Sequence, residues 1–385
     1  MINYPLAEST WDEKETEALQ EVIQSGFFTM GVRVAEFERQ FAQYVGSQYA
    51  VMVNSGSSAN LLAVAALFYR SENPLQAGDE VIVPAVSWST SYFPLSQYGL
   101  KLKFVDIDLQ TLNYDMEALE AAISDNTRMI LVVNLLGNPN QFDRLQTLVQ
   151  GRDITLMDYN CESMGATFQG KQAGTFGVMG TFSTFFSHHI STMEGGLVVT
   201  DDEELYHLML SLRTHGWTRN LPQENRLCEK SDNAFEESFR FILPGYNLRP
   251  LEMSGALGIH QLQKLPGLVE MRRKNAAKFQ ELFTDHPLFL IQQEVGQSSW
   301  FGFSLIMRPG SELSREQVLA RWSEHKVDSR PIVAGNFAKN EVIKHLDHTI
   351  PGELENADYL DKNGFFLGNH HIDVAQKLEA IHQLF

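Results

Sequence analysis

The sequence predicts an α/β protein: a mostly parallel seven-stranded sheet with helices on both faces, followed by a smaller C-terminal α+β domain. Three observations carry this. Seven short β-rich runs alternate with amphipathic segments over the first two-thirds of the chain, the pattern of a parallel sheet covered on both sides. Near Leu251 the alternation gives way to a long helical reading. A length of 385 residues, 43% of them apolar, is enough to bury a large core and to divide into one large and one small domain.

In order, the candidate strands are Ala50–Val53, Glu80–Pro84, Lys101–Asp106, Arg128–Val133, Ile154–Asp158, Gly180–Phe186 and Gly196–Thr200. Asn60–Tyr69, Met116–Ile123 and Gln141–Gln150 place apolar residues at helical spacing between them. Leu251–Leu265, continued by Val269–Phe283, reads as helix. Beyond Pro287, Ser299–Met307 reads as a strand, Ser314–His325 as a helix, Val327–Val333 as a strand and Val374–Leu384 as a closing helix. The large domain is placed at 1–264, N-terminal segment included, and the small one at 265–385. Leu221–Ala234 is the best candidate for a mobile loop.

Composition narrows the function. Two cysteines, Cys161 and Cys228, provide neither a disulfide framework nor a cysteine-ligated metal site. Met1–Trp11 has no basic start followed by an apolar stretch, and no run approaches the roughly 18 apolar residues of a membrane span. A cytoplasmic address is expected. The formal charge of −18 is spread along the chain, which argues against nucleic acid or acidic membranes as partners. An anionic ligand needs a local pocket of donors.

Four stretches offer such chemistry. Asn54-Ser55-Gly56-Ser57-Ser58 follows a strand and opens a helix, where small residues and free amides suit a phosphate. An ordinary serine-capped turn is the alternative, and without a P-loop lysine nucleoside triphosphates are not indicated. Trp88, after the second strand, can stack on a flat ring or pack in the core. Asp158 and Glu162 put acids at the end of another strand, able to tune a pyridine nitrogen or to cap a helix. Phe182 to Gly196 contains the pair His188-His189, a poor metal site because adjacent strand side chains point to opposite faces. No metal site is expected.

Together these segments resemble the DegT/DnrJ/EryC1/StrS group, fold-type-I pyridoxal-phosphate (PLP) proteins of nucleotide-sugar metabolism. The resemblance runs from about Gly26 to the C-terminus. It includes His215-Gly216-Trp217-Thr218-Arg219, Gly245-Tyr246-Asn247-Leu248-Arg249-Pro250 and Ser299-Trp300-Phe301-Gly302-Phe303. In that group a Phe-Ser start and a Glu-Gly-Gly end frame the lysine that bonds the cofactor. Counting back from Glu194-Gly195-Gly196 puts His188 at that position. Imidazole cannot condense with an aldehyde, so the resemblance implies a cofactor held without a covalent bond and working from its pyridoxamine phosphate (PMP) form. Imidazole can still move protons near neutral pH. The implied reaction is removal of the 3-hydroxyl from a 4-keto-6-deoxy nucleotide-sugar, GDP-linked 4-keto-6-deoxymannose foremost, with L-glutamate restoring PMP.

The resemblance also implies residue roles. Gly56, Ser57 and Ser183 hold the cofactor phosphate, Trp88 stacks on the ring and Glu162 lies near it. Asn247 reaches the phosphate in a neighbouring subunit, which implies a homodimer with shared active sites. Gly26, Phe27, Phe28, Thr29, His215, Arg219 and Asp328 contact the nucleotide-sugar; a guanidinium at Arg219 also suits diphosphate oxygens. One position departs from the group: where its ring-nitrogen aspartate belongs, this chain has Tyr159, with Asp158 just before it. Either a local bulge lets Asp158 serve, or the ring nitrogen lacks its partner. Two rival functions remain: a sugar 4-aminotransferase, for which the nearest lysine is Lys171, and a cofactor-binding protein without activity.

Overall fold

The seven β-rich runs form one sheet, and an eighth strand joins it. The computed structural model describes residues 1–385. Across the sheet the order is Tyr49–Val53, Gly196–Thr200, Met179–Ser183, Thr155–Tyr159, Thr127–Val133, Glu80–Pro84, Lys101–Val105 and His348–Thr349. Gly196–Thr200 runs antiparallel to both its neighbours; the remaining pairs are parallel. The eighth strand comes from the C-terminal part of the chain. With two residues, it is too short to leave an alternating pattern in the sequence.

Parallel strands need crossover helices, and these cover both faces. Gly56–Tyr69 is apolar nearly all round because it is sandwiched between the sheet and the helix Glu203–Arg213. Its start is fixed by Ser55, whose Oγ accepts from the Ser58 amide at 3.1 Å. On the opposite face Phe142, Leu145 and Phe168 pack under Ile82, Ile130 and Val132. Such winding gathers the carboxyl ends of the parallel strands along one edge, where open α/β sheets bind ligands.

The two helical readings after Leu251 merge into one helix, Glu252–Phe283, which passes through Pro266. Its first half packs on Phe37 and Phe41 of the large part. Its last turns, Ala276, Phe279 and Phe283, belong to the core of the small part with Phe303 and Trp322. Position 264/265 therefore lies inside a continuous helix, and Tyr4 from the N-terminal segment packs in the small core.

The small part carries an antiparallel sheet of Phe289–Ile291, Gly302–Met307 and Gly364–Gly368. The helix expected at Ser314–His325 is there, as Arg315–Glu324 with a capping box from Ser314 and Gln317. Val327–Val333 is not a strand. It makes only single bridges, Tyr4 to Val327 and Arg330 to Phe366. Pro331 has no N–H to donate and Val333 has a φ of 43°, so no ladder can propagate. The glycine-bounded run Gly364–Gly368 takes the place beside Gly302–Met307.

Candidate active site

At the carboxyl edge of the sheet lies a cavity of about 690 Å³. Gly56, Ser57, Trp88, Glu162, Ser183 and His188 all line it, together with Tyr159. Each arrives there for a local reason. Gly56 begins its helix hard against the end of the neighbouring strand: a Cβ on it would lie 2.7 Å from the Ser183 Cβ. Gly196 permits the matching approach, since a Cβ there would lie 2.4 Å from the Ser55 carbonyl oxygen. The Ser58 amide is taken by the Ser55 cap, while those of Gly56 and Ser57 have no acceptor within the helix. Trp88 leaves the end of Glu80–Pro84 and keeps half its surface exposed.

His188 and His189 diverge. The loop between Ser183 and Gly196 is drawn shut by Thr184 N–H to Gly195 O at 2.9 Å, Thr192 N–H to Thr184 O at 2.9 Å and Phe186 N–H to Met193 O at 3.0 Å. At its tip His188 turns into the cavity, edge-on to Phe301 at 5.1 Å and Phe185 at 5.9 Å. His189 is fully buried, with Nε2 3.2 Å from the Ser299 carbonyl oxygen. Burial, and then the Arg272 guanidinium, lower His188 to about 4. Arg272 is itself buried and donates to the Phe301 and Asn369 carbonyls, not to a carboxylate. His188 is thus a neutral base at physiological pH.

Glu162 accepts from the Leu136 amide at 3.0 Å, and burial pushes it up to about 7. Asp158 does not serve the cavity. It sits in regular register, opposite Val132 on one side and Gly180 on the other, with no bulge at that point. Its side chain therefore faces away from that of Tyr159. Oδ2 accepts from Phe176 N at 2.8 Å and Gly177 N at 3.3 Å, and burial raises the carboxyl to about 6. Tyr159 takes the pocket side instead. Burial lifts its phenol well above the ordinary value, so it stays a neutral O–H beside Ser91 and Cys161.

Several expected residues lie elsewhere in the single chain. Asn247, Gly26, Phe27, Phe28, Thr29, His215, Arg219 and Asp328 do not line the cavity. Asn247 is exposed and accepts from Arg249 Nε at 2.9 Å. Arg219 is exposed over the Trp217 ring at 5.2 Å, and His215 packs against the same ring at 4.9 Å. Phe27 and Phe28 protrude, and Thr29 bridges to Leu251. Sequence reasoning overlooked Leu6, Arg330 and Phe366, which bring the N-terminal segment and the small part over the cavity. Arg330 follows directly from Asp328, so a cation two residues along was the available signal. No lysine lines the cavity; Lys171 lies over the Phe176 ring at 4.8 Å. No group of three His, Cys, Asp or Glu side chains could hold a metal ion, and no helix is long and apolar enough to cross a membrane.

The sequence profile of the DegT/DnrJ/EryC1/StrS aminotransferase family matches residues 9–380. The chain belongs to this family. Among its DegT/DnrJ/EryC1/StrS relatives, GDP-4-keto-6-deoxy-D-mannose 3-dehydratase of Yersinia pseudotuberculosis is 59% identical over 383 residues, covering 99% of this chain and 98% of that protein. A crystal structure of a GDP-4-keto-6-deoxymannose-3-dehydratase mutant with bound GDP-perosamine matches with a TM-score of 0.98 at 58% identity, covering 99% of this chain and 100% of that one. A second crystal structure, of GDP-4-keto-6-deoxymannose-3-dehydratase with a trapped PLP-glutamate geminal diamine, has the same identity, coverage and TM-score.

Proposed function

We propose that the protein is a PMP-dependent 3-dehydratase of GDP-4-keto-6-deoxymannose, with L-glutamate renewing the cofactor amine. The observation that carries this is His188 facing a cavity that no lysine lines. The full-length similarity to dehydratases of that name supports it. The residues present fit the cofactor at its phosphate end. The Gly56–Ser183 approach leaves room only for backbone, and the amides of Gly56 and Ser57 with the Ser183 hydroxyl form a donor cradle at a helix N-terminus. Trp88 supplies a flat wall for the ring.

When bound, PMP supplies an amine able to condense with a ketone and a ring that draws off electrons. His188, neutral through burial, removes a proton from the amine-bearing carbon. It then delivers that proton to the departing 3-hydroxyl oxygen of the sugar. Phe185 and Phe301 flank the imidazole edge-on and hold its orientation. Glu162, tied to the Leu136 amide, fixes the wall beside the ring. Without a lysine in reach, nothing on the protein recaptures the aldehyde form, which favours dehydration over stable amination.

In the proposed homodimer Asn247 reaches the phosphate of the neighbouring cofactor, while Gly26–Thr29, His215, Arg219 and Asp328 meet the nucleotide-sugar. Exposed Phe27, Phe28, Val32 and Leu251, linked through the Thr29–Leu251 bridge, form the kind of apolar surface that a partner covers. The test is incubation with GDP-4-keto-6-deoxymannose, PLP and glutamate, followed by mass analysis. A 3-deoxy sugar and free ammonia are expected. A stable 4-amino sugar, or no turnover, overturns the proposal.

A further inference from the structure

The cavity's inner wall holds a mismatch. A protonated pyridine nitrogen requires an anionic partner, ordinarily a carboxylate. Of the acids near this wall, Asp158 is turned to the opposite face and engaged by the Phe176 and Gly177 amides. Glu162 is committed to the Leu136 amide, and Glu194, which lines the cavity from the His188 loop, is exposed to solvent rather than buried in the wall. The side chain that closes the wall is Tyr159, 5% exposed, on the strand next to the one that ends at Ser183. With the phosphate at Gly56 and Ser183 and the amine-bearing carbon at His188, the ring nitrogen points away from His188, because those two ring positions lie opposite each other. The buried hydroxyl left in that wall to meet it is that of Tyr159.

Resting on the cofactor assignment above, we infer that the ring nitrogen is met in this chain by the neutral hydroxyl of Tyr159, which donates a hydrogen bond to it and leaves it unprotonated. Burial keeps the phenol from ionising, so it can neither balance a pyridinium charge nor take up a proton from one. The ring then withdraws electrons less strongly than a pyridinium would. Retention of the cofactor falls to the phosphate cradle and Trp88.

The test needs no turnover. PLP labelled with ¹⁵N in the ring is bound to the full chain, and its nitrogen resonance is read by NMR. The expected resonance is that of unprotonated pyridine in the parent and of pyridinium in Tyr159→Asp. Titration with PMP and with its analogue carrying carbon in place of the ring nitrogen gives an independent reading. The preference for nitrogen is expected to be about 2- to 10-fold in the parent, the scale of a neutral hydrogen bond. It should vanish in Tyr159→Phe and rise to roughly 10- to 150-fold in Tyr159→Asp. A pyridinium signal in the parent overturns the inference, as does a resonance that responds to Glu162→Gln but not to Tyr159→Phe. Failure of the chain to bind either cofactor form defeats the proposed function itself, an outcome distinct from binding with a protonated ring.

Discussion

At the end of the cavity proposed to hold the phosphate the protein presents backbone: a serine-capped helix start, a glycine pressed on Ser183 and another pressed on Ser55. At the ring end it presents side chains, His188 on a closed loop and Tyr159 on a strand, each held by packing. The first end tolerates almost no change because a Cβ has nowhere to go. The second tolerates exchange of one side chain for another, and there the chain has put imidazole at the lysine position and a phenol on its inner wall. Binding is therefore set by backbone geometry, while the chemistry rests on side chains.

That contrast can be broken most forcefully at its reactive end. His188→Asn is expected to lower turnover by about 10²- to 10⁴-fold, the scale of a lost general base, with cofactor affinity nearly intact. Because burial holds His188 near 4, the parent's kcat/KM profile should show no histidine limb around 6.5. Mixing this variant with Asn247→Ala should restore part of the activity if sites are shared between copies, since hybrid dimers contain one complete site. No recovery would place Asn247 outside the partner's site.

Gly56→Ala tests the opposite end. The added carbon meets Ser183 at 2.7 Å, so a stability loss of about 1–3 kcal/mol is expected in urea melts, together with weaker PMP binding and little change in turnover of the saturated enzyme. Trp88→Ala should weaken PMP by only about 2- to 13-fold, since a stacking contact contributes roughly 0.5–1.5 kcal/mol.

The smallest effect on cofactor binding is expected at Asp158. In the fold its carboxyl keeps its proton up to about pH 6, against 3.8 when unperturbed. The folded state thus binds more protons between those values, and its stability declines as pH rises through that window. Asp158→Asn should remove the decline, so melts at pH 4 and pH 6 should show the variant gaining on the parent as pH rises. Its PMP affinity should match the parent's; a loss would return Asp158 to the cavity.

Much of this was legible because the relevant signals are local. The seven strands, the capped turn at Ser55–Gly56 and the Glu194-Gly195-Gly196 frame that locates His188 all lie in short contiguous runs. The facing of Asp158 was not legible: a bulge and a regular ladder are the same letters, and only the pairing with Val132 and Gly180 decides between them. Phe366 was missed because tertiary folding alone brings its strand over the sheet edge, whereas Arg330 had a signal in its place two residues after Asp328. Val327–Val333 failed for a readable reason, since Pro331 argued against a ladder from the start.

The helix Glu252–Phe283 is a single spar anchored in two bodies. The cavity between them is roofed by Leu6, Arg330 and Phe366 on one side and floored by the sheet on the other. Any widening of that gap for a bulky sugar nucleotide must flex the spar or slide along it. Pro266 removes one rung of its ladder, the bond to the Leu262 carbonyl, so compliance is concentrated there.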